Sequence, residues 1–400
     1  MRAICKSFVK SMLKFRCVCA LLCIAFILSA LLSGCAGISV DVRPAQEESG
    51  QSAAETAIEA DEVVGEDESL DDVEDSDTTS IDNNDTDESD VDFDEENDVS
   101  ENDNLEEVVN VPDEKIDVIY FMGQSNMSGM GGKASLAPEV PIEAGEEFKA
   151  FSDPTKLYPI KEPFGKTEDN PDGLSEKKNK GKKGSLASAF VNKYHELTGN
   201  KVIAVSIASG GKAMDLWNER TFFDDVYSRF KATEDYLKDN DIVPNKIYVI
   251  WMQGESDEAR QIPGGEYGKE FMKFFYSLRQ FDVDEVFVVT HPAGVETMGY
   301  MEIVNTQMAF CNSDPYFCLA TTVIRAIGEE NYSDSVHINQ HVLNLAGQEA
   351  AKAAAYYTNT GRKPVLYNYM TGGLFIPEGS EDLQEDCIGP VDVTNINEMY

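Results

Sequence analysis

The sequence predicts an α/β fold: a central parallel sheet with helices on both faces, preceded by a long segment that takes no part in it. Two observations carry this. From Ile116 onward, short runs rich in Val, Ile, Tyr and Phe alternate with amphipathic stretches at helical spacing, and strand–helix alternation is the pattern of βαβ units. Before Ile116 the text is of another kind, an apolar leader followed by an acidic stretch without periodicity.

The leader comes first. Arg2, Lys6, Lys10, Lys14 and Arg16 precede the apolar run "CVCALLCIAFILSALLSGC", which starts at Cys17. This is the layout of an export signal, and its uncharged run, about 16 residues, is short of the roughly 20 that a spanning helix needs. Residues 41–115 then hold 31 Asp and Glu against Arg43 and Lys115, whereas the chain from Ile116 on carries 42 acidic and 26 basic residues. So most of the formal charge of −40 is concentrated in one segment. With almost no aromatics that segment cannot bury enough apolar surface to offset chain entropy, and disorder is expected. As a coil it spans about 50 Å, more with like-charge repulsion, either as a spacer or as a solubilising tail.

The expected strands are Asp117–Met122, Lys201–Ala208, Lys246–Met252, Glu285–His291 and Phe317–Val323, each apolar enough to be buried on both faces. The expected helices lie near Leu186–Thr198, Phe222–Lys238, Glu266–Arg279, Ile303–Cys311 and Gln340–Tyr357. "EKKNKGKKG", 176–184, interrupts the first crossover as an exposed basic loop, either simply solvated or near an anionic substrate. After Pro364 the chain is either an edge element or a partly ordered extension. The domains are thus 1–34, a leader; 35–115, an acidic linker; 116–360, the α/β domain; and 361–400, a C-terminal extension. Cys311, Cys318 and Cys387 remain outside the leader and Cys35, and a Cys311–Cys318 disulfide is allowed but not required. No CxxC, HExxH or His cluster suggests a metal, no phosphate loop or basic stripe suggests a nucleotide or nucleic acid, and no cofactor is implied.

In such sheets a ligand site lies outside the carboxyl ends of the strands, so the residues there carry the chemistry. The first strand ends on Gly123-Gln124-Ser125-Asn126-Met127 and the second on Ala208-Ser209-Gly210-Gly211-Lys212. The third ends on Trp251-Met252-Gln253-Gly254-Glu255-Ser256-Asp257, and beyond the fifth comes Asp334-Ser335-Val336-His337. A serine needs a neighbouring base to become a nucleophile, a base needs an orienting partner, and a developing oxyanion needs N–H donors. Of the four histidines, His195 is placed mid-helix, His291 precedes Pro292, and His341 lies on the last helix. His337 alone has a carboxylate three residues earlier in a loop, where one tight turn lets Asp334 fix its tautomer. Gly210 and Gly211 either aim an N–H at an oxyanion or make a plain turn. Gln253 either adds a donor or braces its loop. Trp217 either lines the pocket or packs in the core. Ser256 is a rival nucleophile disfavoured by the flanking charges of Glu255 and Asp257.

Four blocks, "GQSNMSG" (123–129), "ASGGKAMDLW" (208–217), "WMQGESD" (251–257) and "DSVHI" (334–338), resemble the SGNH-hydrolase superfamily, and within it the sialate O-acetylesterase-like proteins and carbohydrate esterase family 6. The resemblance implies a flavodoxin-like three-layer α/β/α fold and removal of acetyl groups from sugars. It implies Ser125 as nucleophile, His337 as base and Asp334 as its partner, with an oxyanion hole of the Ser125 and Gly211 amides and Gln253. Gln124, Asn126, Gly210, Glu255 and Trp217 are then expected around the substrate, an acetylated glycan. Lys212 departs from the Gly-Gly-Thr or Gly-Gly-Ser usual in the second block. Leu32-Ser33-Gly34-Cys35 resembles a bacterial lipobox, which implies lipidation at Cys35, a membrane anchor and an extracytoplasmic location. The competing expectations are an esterase for another acyl ester and a catalytically silent carbohydrate-binding lipoprotein.

Overall fold

The computed structural model describes residues 115–170, 173–174, 181–293 and 299–399. The leader, Cys35, nearly all of the acidic linker and residues 175–180 of the basic loop lie outside the described residues.

Seven strands form one sheet in the order β3-β2-β4-β1-β5-β6-β7. They are β1 (Ile116–Gly123), β2 (Gly145–Phe148), β3 (Leu157–Pro159), β4 (Lys201–Ala208), β5 (Lys246–Met252), β6 (Glu285–Val289) and β7 (Phe317–Thr321). All neighbours run parallel except the β2–β3 pair. The five expected strands all form, and their order, β4-β1-β5-β6-β7, is the 2-1-3-4-5 order of a flavodoxin-like sheet. The pair β2–β3, within the first crossover, was not foreseen.

Alternation along the strands explains the layers. Val118, Tyr120 and Met122 of β1 face one cluster of buried side chains, with Val226 and Phe230 of α3 (Arg220–Asp239) and Phe271 and Phe274 of α5 (Gly264–Leu278). Ile119 and Phe121 face the other cluster, built on α1 (Ala187–Thr198) and α7 (Gln340–Thr360). The first layer is completed by α2 (Met214–Trp217) and α6 (Glu302–Ser313). Burying apolar area on both faces of each central strand is the main favourable contribution, about 25 cal/mol per Å².

Cys311 packs in the first layer and Cys318 in the second, both free and buried, so the sheet separates them and the disulfide is excluded. The residues after α7 form a hairpin, β8 (Leu366–Asn368) with β9 (Gly373–Phe375), and later a turn of helix, Ile396–Met399, whose Ile396 is buried in the second layer.

Connections from β1 run to β4 on one side, and β5 lies on its other side. The crevice at a sheet's switch point therefore opens at the carboxyl end of β1. Gly123, Ala208 and Met252 stand level there, paired across the three strands.

Candidate active site

The chain turns sharply after β1. Gly123 has φ 149°, and a Cβ there would lie 2.0 Å from the Met252 carbonyl oxygen, so only glycine fits. The turn that follows is held by Gln124 N–H to Met252 O, 3.2 Å, Ser128 N–H to Gln124 O, 2.9 Å, and Met130 N–H to Ser125 O, 3.0 Å. The Gln124 side chain also accepts from the Ser256 amide at 3.3 Å, at the start of α4 (Glu255–Ala259). Ser125 is 7% exposed and faces a cavity of about 580 Å³.

The opposite wall is the loop before α7. Asp334 Oδ1 accepts from the amides of Val336, 2.9 Å, and His337, 2.8 Å, and Oδ2 lies 2.7 Å from His337 Nδ1. Ser333 N–H donates to His337 O at 2.7 Å, closing the loop, and Asn339 caps α7 by accepting from Val342 N at 3.1 Å. Partial burial opposes ionisation of Asp334. The hydrogen bonds from His337 and the two amides outweigh it and hold the carboxyl below the ordinary carboxylate range. A carboxylate on Nδ1 fixes that nitrogen as the donor and leaves Nε2 as the acceptor. Of the four histidines only His337 lines this cavity. His195 Nδ1 is 2.9 Å from Asn200 O, and His291 is buried on Glu258 at 2.8 Å.

Gly210, Gly211 and Lys212 line the third side. Gly211 has φ 68°, and among the described residues neither its amide nor that of Ser125 donates to a protein acceptor. The Lys212 ammonium stands 4.7 Å from the Phe222 ring centroid. Glu255 lines the fourth side; its Oε1 accepts from Asn126 Nδ2 at 2.8 Å, while its buried Oε2 has no hydrogen-bond partner among the described residues. Burial pushes this carboxyl up to about 7 despite the Asn126 bond. Asn126 also donates to Val336 O, 3.2 Å, and accepts from the Ile338 amide, 3.0 Å.

Two expected site residues stand elsewhere. Gln253 is fully buried and does not line the cavity: its Nε2 donates to Lys212 O, 3.1 Å, and to Asp257 Oδ2, 2.5 Å, and its Oε1 accepts from the Tyr267 hydroxyl at 3.2 Å. With both protons occupied it braces the turns after β4 and β5 rather than offering a donor to an oxyanion. Trp217 is also fully buried, edge-on to Trp251 at 5.0 Å and to Phe274 at 5.6 Å, so it belongs to the core and not to a substrate platform. At the described end of the basic loop Lys183 is exposed, as expected, but Lys182 is buried, 3.4 Å from Ser206 Oγ and 3.7 Å from Asp169 Oδ1, and Gly181 lines the cavity.

Sequence reasoning missed Met130, Ala259 and Val336, which give the cavity its apolar walls. It also missed the buried polar group at α4, where Glu258 Oε2 takes His291 Nε2 at 2.8 Å and Arg325 Nη1 at 3.0 Å. Burial keeps His291 below its usual titration range, hence neutral, and its bond to Glu258 only partly offsets that. No sequence signal marks these, since each is an isolated polar residue in a separate element.

Fold and site together define a three-layer α/β/α domain with a serine, an Asp–His pair and free amides around one cavity at the sheet's switch point. Residues 115–356 match the family model described as carbohydrate esterase, sialic acid-specific acetylesterase. The chain belongs to this carbohydrate esterase family, and with it to the sialate O-acetylesterase-like branch of the SGNH hydrolases. Among solved structures, a protein from Arabidopsis thaliana is 21% identical over 60% of this chain and 97% of that one, with a TM-score of 0.46. A carbohydrate acetylesterase from Xanthomonas citri is 15% identical over 63% of this chain and 59% of that one, with a TM-score of 0.43. No curated protein matches the chain significantly.

Proposed function

We propose that this protein is a serine esterase that removes O-acetyl groups from carbohydrate outside the cytoplasm, through an acyl-enzyme formed on Ser125. The observation that carries the reading is the Asp334–His337 hydrogen bond of 2.7 Å in a loop that lines the same cavity as Ser125. Asp334 fixes the imidazole with Nε2 as base. As Ser125 Oγ attacks the acetyl carbonyl, His337 takes its proton, and the oxyanion forms against the amides of Ser125 and Gly211. Collapse breaks the acetyl–sugar bond, and the departing sugar oxygen takes from His337 the proton that Ser125 gave up. Water then attacks the acetyl-serine as His337 takes its proton; collapse returns that proton to Ser125 Oγ and releases acetate.

Glu255, Gln124 and Gly210 line the side of the cavity where the sugar would sit. Acylation at Cys35 would tether the domain to the membrane, with the acidic segment as spacer. The substrate partner on this reading is an acetylated glycan such as xylan or a sialic acid.

Labelling with a small fluorophosphonate tests the mechanism. The full chain is expected to gain one phosphonyl group, mapped to Ser125, and His337→Ala to lose the labelling. Labelling at Ser256, or none on a folded chain, contradicts the assignment.

A further inference from the structure

We infer that Asn126 is a positioning residue: one buried side-chain amide that joins the nucleophile's turn to the loop of the base and holds His337 in register with Ser125. Its kinetic consequence rests on the esterase reading above; its geometry does not.

Asn126 follows Ser125 directly and is 1% exposed. Its Nδ2 donates to the carbonyl of Val336, and its Oδ1 accepts from the amide of Ile338. These are the backbone groups on either side of His337, so a single planar amide grips the base before and after its own residue. The second Nδ2 proton goes to Glu255 Oε1. Exchanging oxygen and nitrogen would set an oxygen against two acceptors and an NH₂ against a donor, so the surroundings allow one orientation. The amide cannot rotate without breaking all three bonds.

The two segments also touch without intervening side chains. A Cβ on Gly131 would lie 2.2 Å from Ile338 O and 2.8 Å from His337 Cβ, and Ser333 Oγ donates to Gly131 O at 2.5 Å. Within this contact Asn126 is the buried polar link. The outer part of the loop is more open, with the Asp334 side chain 51% exposed, so the buried link is what sets the loop's distance from the serine. A substrate contact, the role expected from sequence, would have to displace one of the three bonds.

The test compares wild type, Asn126→Asp and Asn126→Leu as full chains on an acetylated chromogenic ester, with fluorophosphonate labelling and hydrogen exchange over residues 333–338. Displacing a catalytic group by about 1 Å costs on the order of a hundredfold. Both variants should therefore lose about ten- to a hundredfold in kcat with KM within about twofold of wild type. Labelling of Ser125 should slow by the same factor, and exchange should quicken over 336–338 but not in β1, β4 or β5. A raised KM with unchanged kcat and labelling would make Asn126 a substrate contact and overturn the inference. If Asn126→Leu does not fold, Asn126→Asp carries the comparison, since it keeps shape and acceptor and loses the donors. Should wild type neither cleave the ester nor take the label, the esterase reading fails, and exchange still decides this one: faster over 336–338 in Asn126→Asp supports it, unchanged overturns it.

Discussion

Asp334 meets His337 with both of its oxygens engaged, one on the imidazole and one on two backbone amides. The carboxylate is thus anchored independently of the ring it orients. Asp334→Asn keeps the size but offers Nδ1 the wrong tautomer, and kcat should fall by about 10³-fold or more. Ser125→Ala combined with His337→Ala should be no worse than either alone, because the two act as a unit. Steady-state kinetics on one ester decides both, and additive losses would contradict the triad. Gln253 makes the opposite prediction. Removing a buried amide that satisfies Lys212 O, Asp257 and Tyr267 leaves polar groups unpaired, at about 1–3 kcal/mol each. Gln253→Ala should therefore lower the unfolding temperature together with activity; a hundredfold loss of kcat at unchanged stability would restore it to the oxyanion hole. The strand-end motifs singled out Ser125, Asp334 and His337, which the structure brings to one cavity, because residues at the carboxyl ends of such strands converge there. They did not show which way Gln253 or Trp217 points, since a position along the chain does not fix whether a side chain turns to the cavity or to the core.

At the scale of elements, the site's fourth wall is α4, a single short helix standing on the buried Glu258–His291–Arg325 group. Breaking a buried ion pair by removing one partner leaves an uncompensated charge, typically about 3–5 kcal/mol. Arg325→Met is expected to destabilise the domain by that order, measured by denaturant unfolding; a loss under about 1 kcal/mol would mean that solvent already reaches Glu258. The five central strands were readable because burial on both faces demands near-continuous apolar text, and all five formed. The β2–β3 pair was not, because "GEEF" and "LYP" are short and partly charged and occupy the sheet's edge, where one-sided cover suffices. The short helices α2 and α4 were hidden for a related reason: they are too brief to show a period and take their shape from the turns they complete. The tail after Pro364 could not be resolved by pattern, and its hairpin and buried Ile396 owe their form to the surface already folded beneath them.

The whole domain carries an unusual load of buried carboxyls. Burial pushes Glu147 and Glu255 up to about 7, Asp257 to about 6 and Glu285 to about 8, against ordinary values of 4.5 for Glu and 3.8 for Asp. A carboxyl whose folded pKa is raised stabilises the fold fully below its unfolded pKa and loses that contribution as pH rises through the folded one. Stability should therefore decline between about pH 5 and 8. Neutral His291 acts the other way below its ordinary 6.5, so the decline is cleanest above that. Glu285→Gln should match wild type near pH 5 and exceed it near pH 8.5 in denaturant midpoint, whereas equal slopes would place Glu285 in contact with solvent. At the same scale, the proposed export and acylation at Cys35 would place this domain outside the cytoplasm, with its cavity at the sheet's switch point. On the proposed reading this cavity hydrolyses acetyl esters of carbohydrate through Ser125. The most direct measurement is acetate release from acetylated xylan, an O-acetylated sialic acid and an acetylated chromogenic ester, with wild type beside Ser125→Ala. Acetate from at least one glycan, abolished in the variant, is the predicted result; a folded wild type that releases none, or a variant that keeps the activity, would contradict it.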